Sequence, residues 1–416
     1  MTLAQHEALI IGAGVAGLST ALYLRRAGMN VAVLDPLPPA GGASFGNAGL
    51  LSPDGAVPIA LPGMLPKVLG WLRDPLGPLA IRPSYFPRAL PWLMRWIKCG
   101  QMSRVLEISD AMRALHRESL ICWQELLGAE LYRDLIRPSG QVHVWESDIE
   151  TDTARIERQL RERQGIEAQE LGADDLRQMF PGIAREITRG LLLPRNGFTV
   201  SPQRSVRSLG ALFTQQGGAL INERVMKLVP TESGKWMVMT NAANRMADHV
   251  VIATGAWSRQ LLEPLGIKVP LETERGYHAM LFEPEMVPPL PITNKTRGFA
   301  VTPMEDGLRV AGTVEIAGLD EPPNEKRAKI LVQHVRRMFP ELTGTQVQYW
   351  MGFRPSTPDS LPVLGSTGGR PGLHCVFGHG HFGMTGGPPS GRLVARMITG
   401  QAPGIDPAPY GMQRFH

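Results

Sequence analysis

Cysteine is nearly absent: Cys99, Cys122 and Cys375 are three, odd in number and scattered over 416 residues. That excludes a disulfide framework or a C-x-x-C metal pair, and suits small buried residues in a reducing compartment. No apolar run approaches the roughly 18 residues of a membrane-spanning helix. Met1 leads into a strand-like run and not into a basic stretch with an apolar core, so no secretory leader is read and a cytoplasmic protein is expected. No His, Cys or carboxylate cluster has metal-ligand spacing, so no metal is expected. A P-loop, a G-x-S-x-G elbow and internal repeats are missing too. Charge is mild at +5, compatible with acidic substrates or an anionic membrane surface. No recognisable nucleic-acid module accompanies it. What is plentiful is apolar residues, at 43%, enough for one large core or two coupled ones. Glycine (46) and proline (36) are dispersed, which assigns them to turns and close backbone approaches, not to low complexity.

The most informative stretch is "ALIIGAGVAGLSTALYLRRAGMNVAVLD", Ala8 to Asp35. Ala8 to Ile11 reads as a buried parallel strand. In the turn Gly12-Ala13-Gly14-Val15-Ala16-Gly17, Gly12 permits the tight bend and Gly14 lets backbone approach a pyrophosphate. Gly17 allows the next helix to lie close to the strand. Val31 to Leu34 is the second strand, and Asp35, followed by Pro36, stands where a carboxylate accepts ribose hydroxyls. FAD and NAD fit that carboxylate better than NADP. The next segment, "GGASFGNAGLLSP" (Gly41 to Pro53), decides between them. A loop so rich in small residues and so poor in charge reads as a second cradle, as a flavin's ring and ribityl chain require. Gly42, Ala43, Ser44, Asn47, Ala48, Gly49 and Leu50 are its candidate contacts.

A second G-x-G-x-x-G, Gly378, Gly380 and Gly383, stands in "GHGHFGMTGG" near the C-terminus. A dinucleotide unit needs a further strand with an acidic end about 20 residues on. Here one helix and a proline-rich tail follow, and Asp406 lies in that tail. This match is therefore not a second nucleotide site. Clustered N–H groups and a helix N-terminus near Ser390 make it an anion-stabilising loop, with His379, His381, Met384 and Thr385 beside the glycines.

Together "GAGVAGLSTALYLRRAG", "GGASFGNAGLLSP", "ERGYH", "GFRPSTPDSLPVLG" and "GHGHFGMTGGPPSGRLVARMITG" resemble the D-amino-acid-oxidase-type (DAO) flavoproteins. Bacterial D-amino-acid dehydrogenases, those acting on D-hydroxyproline among them, are the nearest look-alikes. The resemblance runs from about Ala8 to about Gly400 and is weakest from Arg104 to Gly190. It implies an α/β fold (α+β overall): a Rossmann-like FAD-binding domain of discontinuous segments with an inserted, mixed antiparallel-sheet substrate domain. The expected division is 1–60, 185–258 and 345–416 for FAD, with 61–184 and 259–344 for substrate. It also implies adenine-side contacts from Val225, Thr254 and Gly255, and a C-terminal glycine loop lying against the flavin ring. Relatives with covalent flavin carry a cysteine close to the position of Arg354, and this chain does not, so non-covalent FAD is expected.

Between these motifs Arg104–Gly128 and Asp152–Gln164 read as amphipathic helices. "GYHAMLFEP", "GFAVTPMEDGLRVAGTVEI" and "TQVQYWMGFRP" read as alternating strands, with a hairpin turn at Met304–Leu308. Pro58 to Arg104 is proline-rich and interleaves Trp71, Tyr85, Phe86, Trp92 and Trp96 with seven basic residues against Asp74 alone. Such a segment suits a lipid-touching surface or a partner contact equally well.

With a flavin present, amine oxidation is hydride loss from Cα to flavin N5, and the protein's task is orientation and electrostatics. A guanidinium grips both oxygens of a substrate carboxylate, and Arg354, a charge between an apolar strand and proline turns, is the candidate. The resemblance assigns it the same role. Tyr277, through a phenolic hydrogen bond near that carboxylate, and His381, in the flavin-side loop, complete the expected catalytic group. His278 is expected on the opposite face of Tyr277's strand. The function so read is oxidative deamination of a D-amino acid, cyclic ones included, with electrons passing to a quinone or other redox partner. An oxygen-using glycine, sarcosine or D-amino-acid oxidase is the same-fold alternative. A non-catalytic electron-relay subunit is the alternative of another class, and it would not need Arg354.

Overall fold

The computed structural model describes residues 4–74, 77–343 and 346–415. The expected boundary at 344/345 and residues 75–76 of the Pro58–Arg104 stretch lie outside the described residues.

Two large sheets organise the chain, one of eight strands and one of nine. In the first, Ala4–Ile11 pairs in parallel with Val31–Leu34 on one side and Asn244–Ile252 on the other. Ala219–Ile221 and Leu373–Phe377 extend this parallel centre at its two edges. Ala8 to Ile11 is buried, as expected of a strand covered on both faces. The helices Val15–Arg26, Pro202–Gln215 and Gly383–Ile398 share the core on one of those faces. The first and last of these meet almost backbone to backbone. A Cβ on Gly391 would come within 2.7 Å of the Thr20 nitrogen. This contact brings the C-terminal glycine loop beside the N-terminal one.

The second sheet is mixed. Glu272–Phe282 is antiparallel to Gly307–Ile316 and to Gln346–Ser356, and the expected hairpin turns between Met304 and Gly307. Helix Glu325–Met338 covers its far face and encloses a separate apolar core. Two strands sit differently from the expected grouping. Arg189–Leu193 pairs with Gln141–Trp145, and Gln346–Ser356 pairs along its whole length with Glu272–Phe282. Both therefore belong to the second sheet and not with the nucleotide-side segments. The reason matters for the site, because Gln346–Ser356 ends in a bridge from Ser356 to His379. Arg354 is thereby delivered to the seam between the sheets.

The Arg104–Gly128 region forms two helices, Met102–His116 and Ser119–Leu135, the second broken where Gly128 adopts φ 75°. Asp152–Arg163 is capped by the Thr151 hydroxyl, which accepts the Ala154 N–H at 3.3 Å. In the Pro58–Arg104 stretch, helices Met64–Arg73 and Phe86–Cys99 turn Trp71, Trp92 and Trp96 toward a large cavity. Their outward faces carry Leu65, Leu69, Leu72, Phe86, Leu90, Met94 and Ile97. The outward surface of these helices is thus largely aliphatic.

Candidate active site

A cavity of about 1170 Å³ follows the seam. Small-ligand pockets span roughly 300–1,000 Å³, so there is room for a dinucleotide and a substrate together. Gly12, Gly14, Val15, Ala16, Asp35 and Pro36 line its first part, with Val225, Thr254 and Gly255 opposite. Gly12 has φ +115°, and a Cβ there would lie 2.5 Å from the Ala253 carbonyl oxygen. A Cβ on Gly17 would lie 2.0 Å from the Gly12 carbonyl oxygen, so Gly17 serves close packing beneath the turn and does not itself line the cavity. At Gly14 the nearest atom to an added Cβ would be Ser44 Oγ, at 3.4 Å. Packing within the protein therefore does not by itself require a glycine there. Asp35 is fixed by the N–H groups of Ala13 (2.7 Å) and Leu37 (2.8 Å). Burial raises its carboxyl above the ordinary range despite those bonds. Ala13 itself contributes through this bond and is not part of the wall.

Gly42, Ala43, Ser44, Asn47, Ala48 and Leu50 form the next stretch of wall. Ser44 Oγ accepts the Val15 N–H at 3.1 Å, tying the second cradle to the first helix. Asn47 Oδ1 accepts the Gly49 N–H at 2.8 Å; Gly49, at φ +77°, shapes the turn from behind. Arg309, unremarked in the sequence, holds this loop from below, donating to the Asn47 carbonyl at 2.8 Å and the Phe45 carbonyl at 3.3 Å. Burial lowers its pKa to about 10.

The C-terminal loop closes the same cavity. His379, Gly380, His381, Gly383 and Met384 line it, while Gly378 and Thr385 stand behind. Thr385 accepts the Ser52 N–H at 3.1 Å and donates to the Leu50 carbonyl at 3.3 Å, locking the two loops together. His379 Nε2 meets Ser390 Oγ at 2.9 Å, and burial drives its pKa down to about 3. Helices Val15–Arg26 and Gly383–Ile398 both begin at the cavity with no side chain of their own capping them. Two N-termini aimed at one space suit a pyrophosphate at one end and a negatively charged ring at the other. These residues fit FAD. Among the described residues no group of three or more His, Cys, Asp or Glu could hold a metal.

Arg354 lines the cavity between these loops and the second sheet. Its guanidinium crosses the neighbouring strand at Gly276, where a Cβ would come within 2.1 Å of Cζ. Nη1 donates to the Thr313 carbonyl at 3.2 Å, and its other N–H groups have no partner among the described residues. Burial lowers its pKa, with the charge of Glu274 opposing. Glu274 is the cross-strand partner of Arg354 and also lines the cavity. Burial would raise this carboxyl, but the hydrogen bond from His381, together with the charge of Arg354, outweighs it and holds it low. His381 Nε2 lies 2.8 Å from Glu274 Oε2.

Tyr277 is not brought to this group. The strand is bulged between Gly276 and Tyr277, and the tyrosine packs into the core under helix Glu325–Met338. Its hydroxyl donates to Glu315 Oε2 at 2.5 Å and accepts the Asn324 N–H at 3.0 Å. His278, on the opposite face, stacks on Trp350 and meets the Gly46 carbonyl at 3.0 Å. The sequence missed Glu274, which sits in the quoted "ERGYH". The signal was the strand's period of two: if Gly276 faces the cavity, so does residue 274, while 277 faces away.

Comparisons with known proteins bear on the family and the fold. The FAD dependent oxidoreductase (DAO) family profile matches residues 7–397. A D-amino-acid oxidase of Bradyrhizobium diazoefficiens is 38% identical over 413 residues, covering 98% of each chain. A D-amino acid dehydrogenase of Vibrio vulnificus is 32% identical over 403 residues, covering 95% of this chain and 96% of its own. Among solved structures, glycine oxidase from Geobacillus kaustophilus superimposes with a TM-score of 0.76 at 21% identity, over 99% of both chains. L-proline dehydrogenase from P. horikoshii does so with 0.73 at 18%, over 100% of this chain and 98% of its own. These last two speak to fold alone.

Proposed function

The chain belongs to the DAO family of FAD-dependent oxidoreductases, and from that premise we propose that it dehydrogenates a D-amino acid and passes the electrons to a quinone or another acceptor than oxygen. It is an FAD-dependent oxidoreductase acting on amino-acid CH–NH2 groups. The observation that carries the substrate reading is Arg354, a cation with unpartnered N–H groups at the inner wall of the cavity. A carboxylate there accepts a bidentate grip and is oriented before any bond changes. FAD, when bound, supplies the acceptor for the two electrons. Gly14, Asp35 and Ser44 would hold its nucleotide half, and the 378–385 loop its ring. Trp350 and Phe382 line the same cavity and would limit water beside a bound substrate.

The relatives' names support D-amino acids as the substrate class, and D-hydroxyproline is one member to test. The acceptor reading draws on the outer faces of helices Met64–Arg73 and Phe86–Cys99. Their exposed Leu65, Leu69, Leu90, Met94 and Ile97 are flanked by Arg73, Arg88, Arg95 and Lys98. That composition suits peripheral contact with an anionic lipid surface. No helix among the described residues is long and apolar enough to cross a membrane.

Because the 38% relative is named an oxidase, oxygen is the second reading for the acceptor. The experiment is a panel of D-, L- and cyclic amino acids scored by anaerobic flavin bleaching, then by peroxide and by quinone-dye reduction in air. Bleaching by D-enantiomers with dye reduction and little peroxide supports the dehydrogenase reading. Fast stoichiometric peroxide sinks it in favour of the oxidase.

A further inference from the structure

An amino acid reaches the site as a zwitterion, and Arg354 accounts only for its carboxylate. The ammonium must lose a proton before the nitrogen lone pair can form the C=N bond as hydride departs from Cα. Glu274 and His381 stand beside Arg354 on the same cavity wall. An ionised carboxylate can only accept, so the 2.8 Å contact fixes the histidine proton on Nε2 and leaves Nδ1 with a lone pair. Nδ1 has no partner among the described residues, and the His381 side chain is 38% exposed on the cavity side, against 8% for Glu274. The other groups near this pair do not compete for the proton. His116 and Glu272 do not line the cavity, burial opposes a charge on His379, and Arg354 has no lone pair to give.

We propose that Glu274 and His381 form a dyad in which His381 Nδ1 takes the proton of the substrate ammonium and Glu274 positions the ring and balances the resulting imidazolium. The step breaks one N–H bond of the substrate and forms one N–H bond on His381. The freed lone pair would then become the second C=N bond as the Cα hydrogen leaves with its electron pair, for which FAD, when bound, would be the acceptor. The dyad rests on the amine-oxidising reading above. It also predicts selection for amino acids over plain carboxylates, because an ammonium would otherwise sit unneutralised beside the Arg354 cation.

Two readouts test it in the FAD-loaded protein. The first is calorimetric binding at pH 7 of 2-aminoisobutyrate, which has no α-hydrogen to lose, against isobutyrate, the same shape without the amine. Glu274→Gln and His381→Asn should weaken 2-aminoisobutyrate by roughly tenfold or more and leave isobutyrate unchanged or tighter. The second is the anaerobic flavin-reduction rate across pH with a D-amino acid. His381→Asn should lose roughly a hundredfold at neutral pH and regain rate toward the substrate amine's own pKa. Glu274→Gln should displace the acid limb, and Glu274→Asp, which keeps the charge, should restore part of it. Equal losses for both analogues, or pH profiles that overlay the wild type, would overturn the dyad. If no amino acid bleaches the wild-type flavin, the amine reading fails on its own, and the analogue pair still judges the dyad.

Discussion

Two loops in this molecule share the pattern G-x-G-x-x-G, and their glycines are there for different reasons. In the N-terminal loop, Gly12 and Gly17 are demanded by the protein itself. Side chains there would meet backbone oxygens at 2.5 Å and 2.0 Å. In the C-terminal loop, Gly378 and Gly380 adopt φ +88° and +50°, but an added Cβ on Gly383 would find nothing within 4 Å. The first loop is a packing device that also binds; the second is a shape left open toward the cavity. Identical spacing thus says where backbone bends, and only the surroundings say what the bend is for.

The sharpest way to break this contrast is substitution at the third glycine of each loop. Gly17→Val should destabilise by roughly 3 kcal/mol and abolish FAD retention, seen in thermal melts and flavin content after gel filtration. Gly383→Ala should leave the melting temperature near wild type and change only flavin affinity. Equal loss of stability in both would contradict the distinction.

A smaller effect comes from acid. At the C-terminal loop, burial drives His379 down to about 3 and the neighbouring His116 to about 4, while Asp35 beside the N-terminal loop is pushed the other way. Unfolded histidines take a proton near pH 6.5, but these folded ones refuse it until about pH 3–4. Their contribution is therefore intact above pH 6.5 and declines as pH falls through that window. Melting temperature should drop from pH 6.5 toward pH 4, and His379→Gln should flatten the slope. An unchanged slope would remove this histidine from the account.

The smallest effect concerns Tyr277. Losing its hydroxyl in Tyr277→Phe strips two hydrogen bonds in the core and should cost about 1 kcal/mol of stability. The Michaelis constant for a D-amino acid should stay near wild type, and a large rise would return the tyrosine to the substrate.

The nucleotide half of the fold was legible because its chemistry is written in contiguous residues: strand, glycine turn, helix, then Asp35. The substrate half was legible only in part. Arg354 announced itself as a charge between an apolar strand and prolines. Glu274 did not, since its meaning comes from cross-strand register with Arg354 and from a contact to His381, 107 residues away. Arg309 had no local signal at all, because the Phe45 and Asn47 carbonyls it holds lie across the fold. Tyr277 was misplaced by proximity to the right motif, although alternation along the strand pointed it away. The sheet membership of Gln346–Ser356 likewise followed from pairing that no local pattern encodes.

The central claim is that Arg354 receives the carboxylate of an amino acid beside a bound flavin. It is tested most directly by Arg354→Met, comparing anaerobic flavin bleaching by a D-amino acid in variant and wild type at equal FAD content. The account predicts full FAD retention with a loss of apparent substrate affinity of roughly a hundredfold or more. Unchanged affinity in a fully loaded variant would contradict it.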